Sequence, residues 1–84
     1  MSKKQIEENL QLSQKLAEYL AKNPRWMKKF PENSSFVVFS ESDLKLNEIN
    51  ERLVASLEGK GRRVIKARQT KSSTKPWEFI PLFA

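Results

Sequence analysis

Phe36-Val37-Val38-Phe39 is the longest uninterrupted run of large apolar residues in the chain, and it constrains the fold more than any other feature. A half-exposed strand alternates apolar with polar side chains, whereas an unbroken apolar run needs cover on both faces. The run predicts a buried strand over Ser35–Ser40, at the centre of the core.

Helical patterns flank it and supply that cover. Upstream, Ile6, Leu10, Leu16 and Leu20 recur at helical spacing with Leu12, Ala17 and Tyr19 beside them, while Gln5, Glu8, Gln11, Gln14, Lys15, Glu18 and Lys22 fill the other side. The spacing predicts a helix from about residue 3 to 22, capped by Ser2. Asn23-Pro24 ends it, because a residue before proline is pushed out of the α region. Pro24 suits the first position of a short helical turn, in which Trp26, Met27 and Phe30 touch one surface. Pro31-Glu32-Asn33-Ser34 is turn chemistry.

Downstream, Ser42 or Asp43 caps a second main helix carrying Leu46, Ile49, Leu53 and Leu57, supported by Leu44 and Val54. Glu58-Gly59-Lys60-Gly61 closes it, one glycine supplying the left-handed residue beyond the end. Arg62–Gln69 then reads as a second strand centred on Val64-Ile65. Strand, helix, strand is a βαβ unit, so these strands are expected to be parallel with a right-handed crossover. After a polar loop, Thr70–Lys75, the segment 76–84 is apolar. It is either a third strand, antiparallel to the second and confined to an edge by Pro81, or an arm docking on another subunit. The expectation is one α/β domain (α+β is the alternative) over residues 1–84, in two or three layers.

The 84 residues include no cysteine and no histidine, which removes thiol chemistry, most metal sites and the conventional catalytic triad. No phosphate-binding loop is present, since Gly59-Lys60-Gly61 follows a helix rather than a strand. Glu48 and Glu51 share a helix face on which a metal could bind, but with Lys45 and Arg52 nearby they read as a solvated face. No catalytic, cofactor or metal residue is expected, and the chain is read as a non-enzyme. Met1-Ser2-Lys3-Lys4 leads into no apolar stretch, and no run approaches the roughly 20 apolar residues of a membrane span. A cytoplasmic location is the expectation.

The net charge of +6 is unevenly placed. Lys60, Arg62, Arg63, Lys66, Arg68, Lys71 and Lys75 crowd the second strand and the loop after it, against the single acid Glu78. By the two-residue period, Arg62, Val64, Lys66 and Arg68 fall on one side and Arg63, Ile65 and Ala67 on the other. Clustered cations with Trp77 just beyond make this tract a candidate nucleic-acid surface. The same pattern equally describes a solvated sheet edge whose cations deter aggregation. Arg25, Lys28 and Lys29 around Trp26 either join that surface or decorate a packed helical turn. Trp77, Phe79, Ile80, Leu82 and Phe83 need cover that a small chain struggles to supply. They are the candidate partner-binding residues, for a protein partner or a homodimer. A non-enzymatic protein–protein interaction module using this apolar segment and the helix faces is the leading functional reading, and a nucleic-acid binder using the basic tract 60–75 is the alternative.

Three stretches together carry a family resemblance. Glu8-Asn9-Leu10-Gln11-Leu12-Ser13, with Tyr19-Leu20 before Asn23-Pro24, resembles the opening helix of a family of small prokaryotic proteins of unknown function. Phe30-Pro31 followed by Val37-Val38-Phe39 is similar to its next element, and Leu46-Asn47-Glu48-Ile49-Asn50 resembles its L-N-E-[YI]-N signature. The resemblance implies no activity. The chain departs from it at Ser40-Glu41-Ser42-Asp43-Leu44-Lys45, which is less acidic than in relatives, and in its more basic C-terminal part. Asn47 and Asn50 lie within the signature, and hydrogen bonding to the preceding turn is the local role asparagine favours there.

Overall fold

The computed structural model describes residues 1–83. In chain order the elements are α1 (Lys3–Lys22), α2 (Arg25–Lys29), β1 (Ser34–Phe39), α3 (Leu44–Gly59), β2 (Arg63–Gln69) and β3 (Trp77–Pro81). The strands form a 3-stranded sheet in the order β1-β2-β3, with β1 parallel and β3 antiparallel to β2. The α/β class and the parallel βαβ strands follow the sequence expectation. Within the segment 76–84, Trp77–Pro81 is a strand of the chain's own sheet rather than an arm; Ala84 lies outside the described residues.

Local chemistry sets the element ends. Ser2 Oγ accepts from the Gln5 amide at 3.2 Å, while Gln5 Oε1 accepts from the Ser2 amide at 3.0 Å, a reciprocal box that satisfies two otherwise orphaned donors. Asp43, not Ser42, caps α3, its carboxylate accepting from the Leu46 amide at 3.1 Å. At the far end Gly61 sits at φ 76°. The amides of Gly61 and Arg62 donate back to the carbonyls of Glu58 (2.9 Å) and Leu57 (3.0 Å). This double closure needs a left-handed residue, which glycine adopts without steric cost.

The apolar run of β1 divides its side chains between two cores, as an unbroken run should. Val38 packs with Leu16, Ala67 and Trp77, under Leu12, Tyr19 and Leu20 of α1. Val37 and Phe39 pack with Val64 and with Val54 of α3. Adjacent strand residues point to opposite faces, so α1 and α3 lie on opposite sides of the sheet and the domain has three layers.

Several apolar residues of the helical patterns do not reach either core. Ile6 and Leu10 are 53% and 58% exposed. The reason is orientation: the inward face of α1 runs through Glu8, Asn9, Leu12, Leu16, Tyr19 and Leu20, which are buried or half-buried, and Ile6 and Leu10 fall to its outer side. Leu44, at 75% exposed, and Leu53 also face outward, because α3 packs over β1 and β2 through Leu46, Asn50 and Val54. Met27 is exposed too; from α2 only Trp26 and Phe30 turn inward, stacking at 6.2 Å.

Candidate interaction surface

A three-stranded open sheet has two outer strands, β1 and β3, whose outward backbone groups have no ladder partner. The two edges of this molecule are treated differently.

At the C-terminal end of β1 the edge is occupied by side chains of α3, at Val38 and Ser40. Asn47 Oδ1 accepts from the Ser40 amide at 2.8 Å, and Asn47 Nδ2 donates to the Ser40 carbonyl at 2.9 Å. The side-chain amide thus occupies the place of a neighbouring strand's peptide group. One turn later, Asn50 Nδ2 donates to the Val38 carbonyl at 2.8 Å. Val38 and Ser40 are two apart, so their backbone groups point the same way. Asn50 is 1% exposed, a burial that a primary amide tolerates only with its hydrogen bonds made. Its remaining partner is Asn9 of α1, with Asn9 Nδ2 donating to Asn50 Oδ1 at 3.1 Å and Asn50 Nδ2 donating to Asn9 Oδ1 at 2.8 Å. The local role expected for the two signature asparagines describes Asn47, which binds the turn before its helix. Asn50 instead reaches a strand and another helix.

At β3 no side chain of the described residues covers the edge. Leu82 donates its amide to the Val64 carbonyl at 2.9 Å, and Thr70 donates to the Pro76 carbonyl at 2.8 Å. With the register Lys66↔Ile80 and Arg68↔Glu78, even-numbered residues of β3 bond inward to β2. The backbone groups of Trp77, Phe79 and Pro81 therefore point outward. Pro81 stands where its missing N–H costs the ladder nothing, the position proline tolerates in a sheet.

The candidate partner-binding residues separate by strand face. Trp77 is buried against Leu16, Val38 and Ala67. Phe79 is the hub of an aromatic cluster, 4.9 Å from Trp26, 5.8 Å from Phe30, 6.1 Å from Phe36 and 6.4 Å from Tyr19. Both side chains serve the chain's own core, as a strand with α1 on one face requires. Ile80, Leu82 and Phe83 remain half-exposed. Leu82 leans on the α3-side core, and Ile80 lines an open cleft of about 270 Å³ with Phe39, Leu44 and Lys66.

The basic tract does not form one cationic face. Lys66 pairs with Glu51 and stands 5.2 Å over the Phe39 ring, and Arg68 lies opposite Glu78 across the β2–β3 ladder. Arg62 donates to Ser35 Oγ from Nε and Nη2 at 3.3 and 3.1 Å, and with Arg63 it borders an open depression of about 510 Å³ at the start of β2. Lys60 is exposed at the end of α3, while Lys71 and Lys75 are exposed in the loop at the opposite end of β2. Arg25 and Lys29 lie 5.5 and 5.1 Å from the Trp26 ring centre, as cation–π partners. Glu48 and Glu51 are exposed with Lys45 and Arg52, as the sequence reading of a solvated face expects, and Glu51 adds the pairing with Lys66.

One further pair carries no signal in the sequence. Glu8 of α1 and Asp43 border a common cavity, and the Glu8 carboxyl is held above the usual range by its hydrogen bond to Asp43, then by partial desolvation and the Asp43 charge. Asp43 is held below it, first by the Leu46 amide and then by Glu8. Among the described residues, no group of three or more acidic, histidine or cysteine side chains is arranged to hold a metal ion. Among the same residues, no helix is long and apolar enough to cross a membrane.

Fold and edges define a small helix-first α/β domain whose three-stranded sheet has asparagines bonded at one end of its β1 edge and, among the described residues, no side chain bonded along its β3 edge. Over residues 4–77 the chain matches the family of unknown function DUF5647, and it belongs to that family. This agrees with the resemblance to a family of unknown function read from the sequence. No curated protein and no solved structure matches the chain.

Proposed function

We propose that the protein is a non-enzymatic protein–protein interaction module that receives a partner's extended segment along the open edge of β3. The observation that supports this reading is the contrast between the edges. Asn47 and Asn50 occupy outward backbone groups at the end of β1, whereas those of Trp77 and Phe79 point away from β2 with no side chain of the described residues bonded to them. Strand addition uses such groups for affinity and the flanking side chains for selectivity. Ile80, Leu82 and Phe83 flank this edge. The nucleic-acid alternative draws less support, because Lys66 and Arg68 each face a carboxylate and the remaining cations lie at opposite ends of β2.

The test is capture with the tagged chain and with a tagged Ile80→Lys/Leu82→Lys variant, followed by amide exchange of the complex. A protein retained only by the wild type, which also slows exchange at the Trp77 and Phe79 amides, is the expected result. Equal retention by the variant, or retention without protection of those amides, overturns the reading. Fluorescence anisotropy with single-stranded RNA tests the alternative, which requires binding that persists at physiological salt.

A further inference from the structure

Resting on that reading of the β3 edge, we infer that its occupant is a second copy of this chain, paired antiparallel about a two-fold axis through Ile80. Two identical edges pair symmetrically only in the antiparallel sense, and a two-fold interface must be self-complementary. The β3 register restricts the choice. Only odd-numbered residues offer outward backbone groups, so the hydrogen-bonded pairs across the new interface join odd to odd.

Placing Ile80 on the axis sets Phe79 opposite the partner subunit's Pro81 and Trp77 opposite the partner subunit's Phe83. Trp77 and Phe83 then exchange both backbone bonds once the strand extends past Leu82. The Phe79 amide donates to the carbonyl of the partner subunit's Pro81, and each protomer lacks only the bond for which Pro81 has no N–H. On the α3 side of the sheet, Ile80 meets the partner subunit's Ile80. Half-exposed Ile80 and Phe83 and exposed Pro81 all gain apolar neighbours.

Competing registers fit worse. With Phe79 on the axis, the charged Glu78 falls opposite the partner subunit's Ile80 and Phe83 has no strand residue to pair with. With the axis at Glu78, two carboxylates oppose each other directly, which is destabilising. The Ile80 register joins the two 3-stranded sheets into one continuous sheet, with the β1 strands, capped by asparagines at Val38 and Ser40, at its outer limits. The assembly stops at two copies, because a two-fold contact uses up the open edge of both.

Because the chain has no cysteine, one substitution gives a clean test. In the inferred dimer Ile80 forms a non-hydrogen-bonded pair with its own copy, at a Cα separation of about 4.5 Å, inside the range a disulfide spans. Ile80→Cys is expected to form a covalent dimer under mild oxidation at least tenfold faster than Glu78→Cys or Lys28→Cys. Light scattering of the wild type is expected to give twice the chain mass at high concentration, and Ile80→Lys the chain mass alone. Circular dichroism of each variant shows that it remains folded. A wild type that stays monomeric throughout, with Ile80→Cys linking no faster than the controls, overturns the second copy as occupant. That failure is separate from failure of the edge reading, which depends on protection of the Trp77 and Phe79 amides by a captured protein.

Discussion

Asn9 and Asn50, on different helices, exchange side-chain amide bonds at 3.1 and 2.8 Å, and the same Asn50 nitrogen donates to the carbonyl of Val38 at 2.8 Å. This one contact joins α1, α3 and the outer strand β1 beyond the region where the sheet separates the two helices. Asn50→Ala would leave the buried Val38 carbonyl and the Asn9 amide without this partner. Losing the partner of a buried polar group costs about 1–3 kcal/mol, and in a domain this size each kcal/mol lowers Tm by roughly 4–8 °C. Asn50→Ala is expected to cost that amount in urea denaturation. Asn9→Ala, on the more accessible side, is expected to cost less. The double variant is expected to fall short of the summed losses, because the two residues share one interaction.

Asn50 also shows where the sequence stops being informative. The helices, the parallel strands and the terminal strand are legible, because each follows from local periodicity, caps and proline or glycine punctuation. The partner of Asn50 is not, because Asn9 is 41 residues away and no local pattern marks a contact between helices on opposite faces. For the same reason, Ile6, Leu10, Leu44 and Leu53 look like core by spacing and are surface in fact. Periodicity marks a broad apolar arc on a helix but not which part of that arc turns toward the sheet. For the candidate surface, alternation separates Lys66 and Arg68 from Arg63 correctly, but the carboxylates opposite them come from other elements. The openness of the β3 edge depends on hydrogen-bond parity, which a sequence does not display.

The Glu8–Asp43 pair makes stability depend on pH in a defined direction. A carboxyl whose folded pKa is raised, as for Glu8, contributes stability that is complete below its ordinary value of 4.5 and lost as pH rises through the folded value. A lowered one, as for Asp43, contributes above its ordinary value of 3.8 and is lost as pH falls through the folded value. Both contributions are complete between those two ordinary values. Glu8→Gln keeps a donor facing Asp43 at every pH. The variant is expected to show a higher Tm than the wild type at pH 7 and a weaker decline of Tm from pH 4.5 to 7. Parallel Tm profiles for the two proteins over that range would remove the pair from the account.

The two glycines at the end of α3 are expected to respond oppositely to alanine. Gly61 holds φ 76°, where a Cβ meets the strain of the left-handed region, so Gly61→Ala costs about 1–2 kcal/mol. Gly59 is helical, with open space where the alanine methyl group would stand. Gly59→Ala gains up to about 1 kcal/mol by reducing the freedom of the unfolded chain. Thermal melts of the two variants at one pH decide the matter, since the shifts should differ in sign.

Phe79 and Ile80 are neighbours on β3 with different duties, and a stability measurement separates them. Phe79 holds Tyr19, Trp26, Phe30 and Phe36 together on the α1 side. Phe79→Ala removes the hub of that cluster and is expected to cost about 3 kcal/mol, at the lower end of the range for large aromatic truncations because the ring is only half-buried. Ile80 points to the other face, beside an open cleft, where a lysine stem can lie along the apolar surface and keep its ammonium in water. Measured on dilute protein, Ile80→Lys is expected to change folding stability by less than about 1 kcal/mol. A large loss at Ile80 would mean that this side chain belongs to the core, and its apolar surface would then not be available to a partner. A small loss leaves it free for the contact that β3 is proposed to make.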